Sequence, residues 1–119
     1  MKYLLILLFC LPTHNSMAQE IEANFPGGLK AWKTYLKVNI NKDIPNINDA
    51  PPGEYMIQIE FFIEADGTTG RFKAITKYGY GMEDELIRVI KNCPKWEPAS
   101  LNNINKPSLR RQTITFTIP

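Results

Sequence analysis

Side chains that do chemistry are few in this chain, and their spacing suits little of it. Histidine, the usual general base and the commonest metal ligand, occurs once, at His14, and the two cysteines are Cys10 and Cys93. His14 and Cys10 both lie in an N-terminal stretch that reads as removable. No Ser-His or Cys-His pair and no histidine metal site is therefore expected in what remains. Cys93 falls on the apolar stripe of a predicted helix, near its C-terminal end, where the dipole disfavours a thiolate; it reads as a buried structural cysteine. Glu60 and Glu64 share one face of a predicted strand, about 13 Å apart, beyond the roughly 5–9.5 Å of a glycosidase pair. Glu83, Asp84 and Glu85 occupy the first turn of a predicted helix and read as dipole compensation. Asp66-Gly67 is turn chemistry with too few oxygens for a calcium loop, and Gly27-Gly28 lacks the spacing of a phosphate loop. Phe61, Phe62, Phe72, Tyr78 and Tyr80 read as core rather than as a base-stacking platform. The expectation is a protein that is not an enzyme, with no cofactor, no metal and no small-molecule substrate.

The N-terminus explains why His14 and Cys10 drop out. Lys2 precedes an unbroken apolar run from Tyr3 to Leu11, which Pro12 to Asn15 interrupt, and Ser16-Met17-Ala18 sets small residues three and one before Gln19. That is the layout of a secretory signal cleaved near Ala18-Gln19. The run is much shorter than the roughly 20 residues of a spanning helix, and the bulky Phe9 before Cys10 argues against lipidation. Residues 1–18 are thus expected to be leader and 19–119 one domain, since 119 less 18 leaves 101 residues, enough for a single core. Loss of Lys2 lowers the net charge by one from +2. A balance so close to zero gives no reason to expect nucleic acid or an anionic membrane as partner. With one thiol left, the fold must rest on apolar packing and not on a disulfide.

The elements follow from periodicity. Leu29, Trp32, Tyr35 and Leu36 recur at helical spacing and predict a helix from about Pro26 to Val38, with Lys30, Lys33 and Lys37 on its other side. Glu20 to Asn24 reads as a polar lead and Asn39 to Gly53 as loop, broken by Pro45 and Pro51-Pro52-Gly53. Tyr55, Ile57, Ile59, Phe61 and Ile63 alternate with mostly polar residues, predicting a strand over 55–64 with those five facing a core. The Asp66-Gly67 turn returns the chain as an antiparallel partner over 71–78, its alternation broken at Ile75, which suggests a bulge there. Met82, Leu86, Val89, Ile90 and Cys93 form a second helical stripe, which Pro94 ends. Asn102-Asn103 suit a turn, and Ser108 to Ile118 form a last strand, with Ile114, Phe116 and Ile118 on one side and Thr113, Thr115 and Thr117 on the other. The predicted class is α+β: two helices packed on one face of a three-stranded antiparallel sheet, in the order α-β-β-α-β.

Phe25-Pro26-Gly27-Gly28, Tyr35-Leu36 with Asn39, the strand and Asp66-Gly67 turn, Leu86-Ile87-Arg88-Val89-Ile90-Lys91 and Pro94-Lys95-Trp96-Glu97-Pro98 together resemble the TonB C-terminal domain, in the form common in Bacteroidetes-type bacteria. The resemblance covers about Asn24 to Ile118. It implies a periplasmic domain that pairs its last strand with an extended segment of an outer-membrane transporter or other envelope protein, by β-strand addition. Carried onto this chain, the partner-binding residues are Arg110, Gln112, Thr113, Ile114, Thr115, Phe116 and Thr117. Full transducers of this family carry a membrane helix and a long proline-rich spacer. Here only a short apolar run and a few polar residues precede Phe25, so a free-standing domain is the expectation, with a retained Met1–Leu11 anchor as the alternative. A structural envelope domain that self-associates through the same strand is the competing reading.

Overall fold

The structure, a computed structural model, describes residues 18–119; His14, Cys10 and the rest of the predicted leader up to residue 17 lie outside the described residues. In chain order the elements are β1 (Glu20–Ile21), α1 (Gly28–Asn39), α2 (Ile44–Ile47), β2 (Gly53–Ile63), β3 (Thr69–Ala74), α3 (Met82–Lys91), β4 (Ala99–Leu101), β5 (Ile104–Lys106) and β6 (Ser108–Ile118). They form a mixed α+β fold with two antiparallel three-stranded sheets, one ordered β3-β2-β6 and a small one ordered β1-β4-β5.

Alternation along β2 decides the layering. Ile57, Ile59, Phe61 and Ile63 are fully buried, whereas Met56 on the other side is exposed. The buried set packs with Trp32 and Leu36 of α1, with Met82, Leu86, Val89 and Ile90 of α3, and with Phe25, Trp96 and Phe116, in one cluster. One face of the large sheet is therefore covered by helices and the other is open. Each large apolar side chain so buried is worth about 1.5–3 kcal/mol. Aromatic rings close one end of this core: Trp32 lies 4.8 Å from Trp96 and 5.0 Å from Phe25, centroid to centroid. Leu29, expected on the apolar stripe, is 58 % exposed, because α1 begins at Gly28 and its first turn overhangs the core.

Four expectations are corrected, and that of a turn at Asn102-Asn103 is met. The segment from Asn39 to Gly53 is not all loop: α2 forms there, with Pro45 in its first turn where a missing N–H costs nothing. The polar lead contains β1, which pairs with β4 through Glu20↔Leu101 and Ile21↔Ser100. Asn102-Asn103 do make a turn, but one that closes a hairpin of β4 on β5; both have positive φ, 51° and 67°, as a primed two-residue turn requires. The bulge sits at Arg71-Phe72, not Ile75, since Glu60 pairs with Lys73 and Phe62 with Gly70; Arg71 takes φ 53° there and β3 ends at Ala74. Lastly, not all the aromatics are core: Phe62 points to the open face, where the Arg71 guanidinium stacks 3.7 Å from its ring centroid, and Tyr78 and Tyr80 are half-exposed.

Gly67 ties the β2–β3 turn to the rest. Its carbonyl accepts from the Trp96 N–H at 2.9 Å, its φ is +88°, and a Cβ there would lie 2.2 Å from the Trp96 carbonyl oxygen. Only glycine meets both demands.

Candidate functional site

The last strand forms one edge of the large sheet. β6 pairs with β2 over its full length in unbroken register, from Ser108↔Ile63 to Ile118↔Gly53, and among the described residues no strand lies on its other side.

Which backbone groups face that free edge follows from Gln58. Its carbonyl accepts from the N–H groups of Ile75 and Thr76, and its own N–H donates to Thr76 Oγ1 at 3.0 Å. Both backbone groups of Gln58 thus point towards β3, so its register partner Thr113 is a non-hydrogen-bonded partner and turns its own N–H and C=O outward. By alternation Leu109, Arg111, Thr115 and Thr117 do the same. Even-numbered residues, Ile114 opposite Ile57 among them, are bonded to β2. No backbone group among the described residues takes up the outward groups of β6. One is capped by a side chain: Gln112 Nε2 donates to the Thr113 carbonyl at 3.0 Å, while Gln112 Oε1 accepts from Trp32 Nε1 at 2.7 Å.

Side chains divide by parity. Thr113, Thr115 and Thr117 stand exposed on the open face, together with Arg111, which pairs with Glu60 at 3.1 Å. Gln112 and Ile114 turn towards the helix layer, and Phe116 is a buried core residue. Arg110 also turns inward, its guanidinium 5.1 Å from the Trp96 ring centroid and 6.0 Å from that of Trp32. It has no carboxylate partner among the described residues, and its Nε is buried without an acceptor. Burial accordingly pulls its guanidinium below the usual value. The expected binding residues therefore share one strand without sharing one role: the odd positions offer backbone, and the even ones build the wall behind it.

Beside this edge runs a groove of about 370 Å³, lined by Lys33, Leu36, Lys37, Ile40 and Lys42 on one side and by Gln112 to Phe116 on the other. Sequence reasoning missed it. The available signal is the four-residue spacing of Lys33 and Lys37, which puts both on one side of a helix, the side opposite its apolar stripe.

Glu60, Glu64, Glu83 and Glu85 each have a structural partner. Glu60 and Glu64 are bound by Arg111 and Arg71 respectively, the latter through bonds of 3.0 and 2.7 Å. Glu83 and Glu85 do more than balance a dipole. Glu83 is buried and accepts from the Tyr78 and Gly79 N–H groups, both at 2.9 Å, and from Thr76 Oγ1 at 3.0 Å, fixing the loop between β3 and α3. Glu85 accepts two 2.8 Å bonds from Arg88 and one from the Asn41 N–H. The Arg88 hydrogen bonds hold its carboxyl below the usual value, against the opposing effect of burial. Burial pushes the Cys93 thiol up. Among the described residues no cluster of three or more histidine, cysteine, aspartate or glutamate side chains is placed to hold a metal, and no helix is long and apolar enough to cross a membrane.

No protein-family model, no curated protein and no solved structure matches this chain.

Proposed function

We propose that this protein is a periplasmic binding module of TonB C-terminal type, which takes up an extended segment of an outer-membrane transporter or other envelope protein by β-strand addition to β6. The observation that carries the reading is the row of outward backbone groups at Arg111, Thr113 and Thr115, which have no backbone partner among the described residues and of which only the Thr113 carbonyl is capped by a side chain, beside an open groove. An exposed edge of this kind is a template for another strand: main-chain hydrogen bonds supply affinity and flanking side chains supply choice. The sequence resemblance supports the same strand, and the order of helices and strands around the large sheet is consistent with it. On this reading the chain acts by recognition alone, exported by its leader and without a cofactor.

Adding TonB-box peptides to isotope-labelled protein tests the proposal. The amides of Arg111, Thr113 and Thr115 should shift and gain protection from exchange, whereas Gln112 and Ile114, already bonded to β2, should change little in protection. Shifts confined to another surface sink the proposal. Self-association through the same edge is its rival. Antiparallel pairing of two copies would bring two sets of Lys33, Lys37 and Lys42 together, which like-charge repulsion opposes; a monomer mass in solution independent of concentration eliminates it.

A further inference from the structure

The groove beside β6 is lined by three lysines and no acidic residue. Lys33, Lys37 and Lys42 are all exposed, and none has a carboxylate partner among the described residues, where the ion pairs are Arg71–Glu64, Arg88–Glu85, Lys106–Glu20 and Arg111–Glu60.

The geometry of the two walls is commensurate. Trp32 of α1 reaches Gln112 near the middle of β6, and the chain beyond the helix returns to β6 through Lys42 and α2. Successive turns of α1 therefore line one wall of the groove and β6 the other. Lys33 and Lys37, four residues apart, are separated by about 6 Å along the helix axis. Side chains on one face of an added strand repeat about every 6.7 Å. A strand laid on β6 would point alternate side chains towards α1, and two successive ones would meet successive lysines. The apolar floor of Leu36 and Ile40 lowers the local dielectric beneath them, which strengthens a charge pair relative to open water.

We propose that the occupant of this edge is an extended acidic peptide segment carrying carboxylates at alternate positions, read by Lys33 and Lys37 with Lys42 at the far end. This rests on strand addition as proposed above and adds to it the chemistry of the partner. Backbone pairing is indifferent to sequence, so the lysine wall is the feature that selects. Surface pairs of this kind are individually weak, and two acting together correspond to about a tenfold preference.

The test uses the full chain and peptides about eight residues long, a usual strand length. One alternates glutamate with threonine, a second replaces each glutamate by glutamine, and a third keeps the composition but sets the glutamates side by side. Affinity and the amide signals of Arg111, Thr113 and Thr115 are read for the wild type and for K33Q/K37Q, whose substitutions lie on exposed positions. The proposal expects the alternating peptide to bind about tenfold more tightly than the glutamine peptide, with that difference lost in K33Q/K37Q and with the β6 amides shifted in every case. Equal affinity for the acidic and glutamine peptides, with β6 amides shifted by both, overturns acid selection and leaves strand addition standing. Tight binding of the acidic peptide without any change at the β6 amides overturns both. Equal binding of the side-by-side peptide, or of a single-stranded oligonucleotide, reduces the groove to a general polyanion surface and overturns the alternate-position reading.

Discussion

Proline substitution at two adjacent positions distinguishes a free edge from a paired one. Thr115 turns its N–H to the side of β6 away from β2, so Thr115→Pro removes a donor that has no partner among the described residues. Edge positions of this kind tolerate proline, and the stability change should stay within about 1 kcal/mol. Ile114 lies opposite Ile57 and its N–H is bonded into β2. Ile114→Pro therefore breaks a ladder bond worth about 0.5–1.5 kcal/mol and leaves the carbonyl of the fully buried Ile57 unsatisfied, a further 1–3 kcal/mol or so. With the partly buried isoleucine side chain lost as well, the sum is about 3–5 kcal/mol. For a domain of this size about 1 kcal/mol moves the unfolding midpoint by roughly 4–8 °C. Thr115→Pro should thus melt within about 8 °C of wild type and Ile114→Pro at least about 12 °C lower, or not fold at all, by circular dichroism. Peptide binding reverses the emphasis. The folded Thr115→Pro protein should bind at least about tenfold more weakly, since it lacks one main-chain bond and presents a ring to the incoming strand; Thr115→Ala, which keeps the N–H, should bind as wild type. Equal destabilisation by the two prolines would refute the register that places Thr115 outward. Unaltered binding by Thr115→Pro would refute strand addition at this edge.

Other expectations concern the framework. Gly67→Ala must force a side chain into a left-handed φ and against the Trp96 carbonyl, so it should cost about 3 kcal/mol or more in chemical unfolding. Glu83→Ala strands three donors of the β3–α3 loop, and should cost about 2–4 kcal/mol while raising hydrogen exchange at the Tyr78 and Gly79 amides. Glu85 is held below its ordinary value near 4.5, so its contribution is complete above that value and is lost as pH falls through the lower folded-state value. Glu85→Gln should lower stability at neutral pH by about 1–2 kcal/mol and flatten the acid limb of stability against pH. Burial raises the Cys93 thiol above its usual value, so alkylation at neutral pH should be slow in the native protein and fast in denaturant.

The large sheet and both long helices were legible because their signals are periodic and local. Ile57 to Ile63 alternate strictly, and Met82 to Ile90 keep helical spacing, so burial of one side could be read from the chain. What escaped was short or depended on distant partners. Glu20–Ile21 is too brief for periodicity and is a strand only because Ser100 and Leu101 lie beside it. Pro45 reads as a helix breaker, yet in the first turn of α2 it forfeits no hydrogen bond. Polarity breaks the pattern at Ile75, but the register slips at Arg71; the binary pattern records which face a residue takes, not where an extra residue is inserted. Glu83 and Glu85 carry the right charge for a helix start, and nothing in the sequence shows that they also gather a loop and an arginine.

The candidate site divides along the same line. That β6 is terminal and one-faced is written in Thr113 to Ile118, but that it is an edge is a property of strand order, and so is the outward turn of Thr113, which depends on where Gln58 sends its own hydrogen bonds. The lysine wall is less legible still. Lys33 and Lys37 look like the solvated side of an amphipathic helix, and remain so until α1 is packed beside a strand some 80 residues later, a placement held by Trp32 and Leu36 in the core and accompanied by the bond from Trp32 to Gln112. That bond has a consequence for specificity. Gln112 holds its amide against the Thr113 carbonyl, so an incoming strand must either displace the Gln112 cap or pair on the Thr115 side of it, beside Lys37 and Lys42. Gln112→Ala would uncover the Thr113 carbonyl while leaving the lysines in place. It should strengthen strand addition by up to about one hydrogen bond, several-fold in affinity, if displacement of the cap accompanies binding. Unchanged affinity would show that the partner pairs beyond the cap.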